Sequence, residues 1–130
     1  MVVPKFRAFY EGKMYGVKAV IWTSRGLYVT LDEGNKAGRR VRGAKLMQST
    51  GAFDKNGKEI FEGDVVVIYD ELNEFESEVY EIVYSQDNLA WIFYDNESHD
   101  FYLILTCTWD ELEIIGNAHQ NPELLEVNND

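Results

Sequence analysis

A chain of 130 residues fits one domain, at most one with a small appendage, and can bury about two-thirds of its unfolded surface without a disulfide or a metal. Twenty-three acids against twelve bases leave a net charge of −11, which favours solubility and works against loose, sequence-independent attachment to nucleic acid. The single Cys107 excludes an internal disulfide; within Leu103-Ile104-Leu105-Thr106-Cys107 it reads as a small buried hydrophobe, in keeping with a reducing compartment.

In chain order, Phe6–Tyr10 alternates bulky and variable residues and meets a tight turn at Glu11-Gly12-Lys13, after which Met14 and Tyr15 begin a return strand. Lys18–Thr23 predicts a strand, Ser24-Arg25-Gly26 a turn and Leu27–Leu31 its hairpin partner. Residues 32–44 hold three glycines and read as a loop. Lys45–Thr50 then leads into the stretch that organises the chain. In Asp54-Lys55-Asn56-Gly57, the Asn-Gly pair predicts two successive residues at positive φ. Glu62-Gly63-Asp64 is a second turn, with Gly63 free to take a conformation closed to other residues. Val65-Val66-Val67-Ile68-Tyr69 predicts a strand buried on both faces.

Beyond it, Asp70–Phe75 reads as an acidic loop and Glu76–Tyr84 as an alternating strand. Gln86-Asp87-Asn88 is a turn, Leu89–Tyr94 a strand, Asp95–Asp100 a polar connection and Phe101–Trp109 a long strand. Asp110-Glu111 turns into Leu112–Ile115, which Gly116-Asn117 stops. Asn121 and Pro122 then suit the cap and first position of a short helix. Short strands and frequent turns, without a long amphipathic helix, predict an antiparallel β barrel or sandwich.

Three separated segments resemble one family, the phage and prophage proteins grouped around YopX. They are Pro4-Lys5-Phe6-Arg7-Ala8-Phe9 with Gly12-Lys13-Met14; Met47–Gly51 with Asp54–Val65; and Leu112–Asn117 with Asn121–Leu125. The central segment is the specific one. Two family preferences around its Thr-Gly step, an aromatic before and a leucine after, are replaced by Ser49 and Ala52. The resemblance implies an SH3-like β-barrel over residues 45–130, with residues 1–44 as an N-terminal β-hairpin region on or beside it and a short C-terminal helical turn. It implies structural roles for Gly51, Asp54, Asn56, Gly57, Glu62, Gly63, Asp64, Gly116, Asn117 and Pro122. It also implies phage or prophage origin and no established activity; no cofactor is expected. Segments 16–45 and 70–110 lie outside the likeness and are where a specialised role is expected.

Asp95, Glu97, His99 and Asp100 place four potential ligands within six residues. A polar hairpin loop has the same composition without a metal, and neither a calcium-loop spacing nor a paired-histidine helix is present, so no metal-dependent hydrolase is expected. Glu59, Glu62 and Asp64 invite a catalytic reading, but turn residues use such carboxylates to bond backbone amides and water. His119 has no serine or cysteine partner in a recognisable register.

The basic island has the stronger case. Lys36, Arg39, Arg40, Arg42 and Lys45 put five of the twelve bases within ten residues that contain no acid, leaving −16 over the other 120. Arg39, Arg40 and Arg42, flanked by Gly38 and Gly43, read as a flexible, phosphate-capable loop, and Trp22, Tyr28, Trp91 and Tyr94 supply either stacking faces or core. A contact with the protein's own acidic surface, or with a neighbouring subunit, is favoured over nucleic acid. Met1-Val2-Val3-Pro4-Lys5 lacks a basic start followed by an apolar core, and no apolar run approaches the roughly 20 residues of a membrane helix. The expectation is therefore a non-enzymatic accessory protein of the host bacterial cytoplasm that binds another protein, copies of itself included. The alternative is a nucleic-acid-binding barrel that uses residues 36–45.

Overall fold

The computed structural model describes residues 5–34, 37–69, 78–96, 98, 101–103 and 112–125. The chain forms two compact units, Met1–Ser49 and Thr50–Asp130.

In the first unit, β1 (Phe6–Tyr10) returns as β2 (Lys13–Thr23), followed by β3 (Gly26–Asp32), β4 (Arg39–Arg42) and the start of β5 (Lys45–Phe53). Glu11 and Gly12, at φ 47° and 84°, supply the two successive positive values that a tight hairpin requires. β2 is one strand rather than two segments, because a bulge between Val17 and Ala19 accommodates Lys18 without ending the ladder. The antiparallel order is β4-β3-β2-β1-β5. One face carries the core: Ala8, Val29, Leu31 and Val41 are buried, with Tyr10, Tyr15, Val17, Leu27 and Leu46 packed around them. Residues 32–44 are thus not a loop throughout. Val41 sits opposite Val29, and burying this pair zips Arg39–Arg42 onto β3.

In the second unit, the end of β5 lies beside β6 (Glu59–Phe61), and the Thr50 hydroxyl donates to the Ile60 carbonyl at 2.8 Å. β7 (Asp64–Ile68), β8 (Glu78–Ser85), β9 (Ala90–Tyr94), β10 (Phe101–Leu103) and β11 (Leu112–Asn117) form an antiparallel sheet of order β10-β9-β8-β7-β11. Its core is Ile60, Val66, Tyr80, Ile82, Phe93 and Leu112. Asp64 to Val67 are buried at four successive positions, so β7 is covered on both faces as its run of β-branched residues predicts.

The protein is mainly β, but among the described residues its strands form open antiparallel sheets rather than a closed barrel. β10 pairs only with β9 and β11 only with β7, so this ladder does not meet itself. Two local expectations are also corrected. Only Gly57, at φ 79°, is left-handed in the Asn-Gly turn, because the Asp54 carboxylate rather than Asn56 shapes it. Leu89, at φ 50° and 75% exposed, belongs to the turn before β9. The short C-terminal helical turn is present as expected, as a 3-10 turn over Pro122–Leu125. The readings of residues 70–75, 104–111 and Cys107 fall outside the described residues.

Candidate functional site: structural carboxylates and a basic edge strand

Two carboxylates of the central stretch, Asp54 and Asp64, are committed to the backbone. Asp54, 6% exposed, accepts the N–H groups of Asn56 and Lys58 on Oδ1, both at 2.9 Å, and that of Ile114 on Oδ2 at 3.1 Å. Burial pushes its carboxyl upward, yet these three donors, with the Lys58 charge, outweigh burial and hold it below the usual aspartate range. Asp64, 1% exposed, accepts the Phe61 N–H at 2.8 Å, the turn-amide role expected of it. Glu62 is half-buried beside Asp64 in sequence, and Glu59 is likewise only partly covered.

Asn117 completes a second knot. Its Oδ1 accepts the N–H groups of His119 and Gln120, its Nδ2 donates to Gln120 Oε1, and its own N–H donates to Asn121 Oδ1 at 3.2 Å. Asn121 therefore turns its side chain back to β11, while its carbonyl accepts the Leu124 N–H of the 3-10 turn opened by Pro122. Gly116 is fixed by space: an added Cβ would stand 2.6 Å from Asn121 Oδ1 and 2.9 Å from Leu124 Cδ1. Gly51, Gly57 and Gly63 are fixed by positive φ. Asp54, Asp64, Asn117 and Asn121 thus hold backbone in place.

The basic island is divided by β4. Arg39 is engaged within its own unit: Nη2 lies 2.9 Å from Glu33 Oε1 and donates to the Tyr15 hydroxyl at 3.4 Å, while the guanidinium sits 5.7 Å and 5.8 Å from the Tyr10 and Tyr15 ring centres. Arg40 and Arg42 lie opposite Thr30 and Tyr28, on the face away from Val41. Both are exposed, and among the described residues neither has an ion pair. The Arg42 guanidinium lies over Gly26, where an added Cβ would stand 3.5 Å from Nη2. Gly38 is no flexible hinge. At φ 71°, an added Cβ would approach the Leu31 carbonyl to 2.7 Å, so the chain enters β4 through a close contact that only glycine permits. Lys45 is exposed at the start of β5, and Lys36 lies outside the described residues.

Of the four candidate ligands, Glu97, His99 and Asp100 fall outside the described residues; Asp95 accepts the Ser98 N–H at 3.3 Å, a turn contact. Trp91 stacks edge-on with Tyr84 at 5.3 Å and packs on the second core, and Tyr94 is half-buried in β9. Trp22 differs: it is 72% exposed at a groove of about 470 Å³ lined by Phe6, Val17, Val20 and the stems of Lys5 and Lys18.

Sequence reading missed three features. Lys55, Tyr69 and Glu113 form a surface cluster: Tyr69 donates to Glu113 Oε2 at 2.9 Å, and Lys55 Nζ lies 3.4 Å from the same oxygen and 4.4 Å from the Tyr69 ring centre. Hydrogen bonding to Glu113 raises the Tyr69 phenol, with burial and the Glu113 charge in the same direction. Glu81 is raised by burial and by the Glu62 charge, against a hydrogen bond from Asn96. The third is the distribution of charge. Met1–Ser49 carries ten bases and three acids, +7, whereas Thr50–Asp130 carries two bases and twenty acids, −18, which together give −11. Counting by halves reveals this, but the boundary that gives it meaning is three-dimensional.

Comparison with known proteins agrees with this architecture. The family model described as YopX protein matches residues 5–126. The crystal structure of protein EF1440 from Enterococcus faecalis is similar at 28% identity, covering 97% of this chain and 100% of that one, with a TM-score of 0.67. That of yopX from Bacillus subtilis is similar at 23% identity over 94% and 98% of the two chains, with a TM-score of 0.65, a likeness of fold alone. No curated protein matches the chain. With its N-terminal strand, central turns and C-terminal knot all inside the matched span, the chain belongs to the YopX protein family.

Proposed function

We propose that the chain is a non-enzymatic, phage-derived accessory protein of the host cytoplasm that acts by binding another protein, in the first instance a second copy of itself. The observation that carries this reading is the opposite charge of the two units, +7 and −18, with Trp22 standing exposed on the positive one. An exposed tryptophan in an apolar groove flanked by Lys5 and Lys18 is a suitable anchor for an acidic surface, and the second unit of another copy supplies such a surface. The commitment of Asp54, Asp64 and Asn117 to backbone bonds supports a non-catalytic role for the motif. The SH3-like architecture implied by the family resemblance is supported by the meander β7 to β10, with β11 returning beside β7.

Size-exclusion chromatography with light scattering tests the reading. Concentration-dependent association is expected at low salt, weakened by added salt and by Trp22→Ser. A strict monomer at high concentration and low salt overturns self-association.

Nucleic-acid binding by the first unit is the second reading, favoured by its +7 charge and by Arg40, Arg42 and Tyr28 sharing one face. It predicts salt-sensitive binding of a single-stranded oligonucleotide that is lost with Arg40→Ala and Arg42→Ala. No binding at low salt overturns it.

A further inference from the structure

We infer that the free edge of β4 is a docking site for an extended acidic segment of a partner protein, taken up as an added strand. This rests on the protein-binding reading above and names the chemistry of the partner. Among the described residues β4 ends its sheet, with β3 as its one neighbour. In an antiparallel ladder, alternate residues turn their N–H and C=O groups away from that neighbour. Among the described residues, no other backbone group takes up the outward-facing set of residues 39–42.

The side chains decide which strand fits. Two copies of β4 laid edge to edge would set Arg40 and Arg42 against the same arginines, so the edge repels itself. An acidic strand turns that repulsion into attraction. Arg40 and Arg42 project from one face about 7 Å apart, the rise of two residues, so acids at alternate positions of the incoming strand lie beside both. Between them Val41, 8% exposed, points to the opposite, core-bearing face. The incoming residue beside it is therefore apolar, and the selected pattern is acid–apolar–acid. The edge is also preorganised, because Gly38 and Val41 hold β4 in its extended form before any partner arrives. A nucleic acid would answer the arginines but has no backbone ladder to offer the edge.

The test uses the full chain and a capped peptide that alternates Glu and Val. At low salt the peptide binds and slows amide exchange at alternate β4 residues. Methylating alternate peptide nitrogens leaves its charge unchanged and weakens binding about tenfold, since ladder bonds are lost. Arg40→Glu with Arg42→Glu weakens it about tenfold as attraction becomes repulsion, with the thermal midpoint kept. The inference is overturned if wild-type protein does not bind the peptide, or if the methylated peptide binds as tightly as its parent. It is equally overturned if single-stranded DNA of equal charge binds more tightly and leaves β4 exchange unchanged. Failure of the peptide with Trp22-dependent association intact removes this inference alone; peptide binding by a strict monomer removes self-association alone.

Discussion

Asp54 Oδ2 accepts the backbone N–H of Ile114 at 3.1 Å, joining residues sixty positions apart. The same carboxylate closes its own turn through Asn56 and Lys58, and the Lys55 N–H donates to the Leu112 carbonyl at 2.9 Å. One buried aspartate thus shapes the turn between β5 and β6 and ties it to β11. Asp54→Ala leaves the N–H groups of Asn56, Lys58 and half-buried Ile114 without their carboxylate partner and is expected to cost about 2–4 kcal/mol, read by urea unfolding.

The pH dependence at Asp54 has a definite sign. Its folded carboxyl lies below its unfolded value, so its contribution is complete above the unfolded pKa and is lost as pH falls through the folded one. Urea midpoints measured at descending acid pH should fall more steeply for wild type than for Asp54→Asn.

Glu81 has the opposite sign. Burial and the Glu62 charge raise its folded carboxyl, so it favours folding fully below its unfolded pKa and loses that contribution as pH rises through the folded value. Glu81→Gln retains an acceptor for the Asn96 side chain and removes the charge. The variant should melt higher than wild type at neutral pH, with the difference vanishing in acid.

The two arginines that adjoin each other in β4 should behave differently. Arg39→Ala removes the Glu33 ion pair and the contact with two tyrosine rings, and is expected to cost about 1 kcal/mol in thermal or urea unfolding. Arg40→Ala should stay within about 0.5 kcal/mol of wild type, as for a surface residue without such contacts.

Two glycines offer a direct check on close packing. Gly38→Ala meets both a positive φ and the Leu31 carbonyl, and Gly116→Ala meets the Asn121 and Leu124 side chains. Each should cost about 1–3 kcal/mol by urea unfolding, whereas Gly12→Ala, with open space around its Cβ position, should cost only the conformational part of that.

Local rules made much of this protein legible from its residues. Val65–Tyr69 announces a doubly buried strand, which holds to Val67 while Tyr69 is exposed beyond its end. Ser24-Arg25 marks a hairpin between two apolar runs, and Gly63 marks a turn that needs positive φ. Each depends on neighbours a few positions away, and the specific pattern from Met47 to Val65 further identified the family. What the tertiary structure alone decided depends on partners far along the chain. A loop-like sequence rich in arginine and glycine became β4 because Val41 found Val29, and that pairing sent Arg39 to one face and Arg40 with Arg42 to the other. Asp54 gained its third donor from Ile114 across sixty residues. The boundary at Ser49 separated +7 from −18 within a chain whose composition reports only their sum. Composition adds charges without regard to place, and only folding assigns them to surfaces.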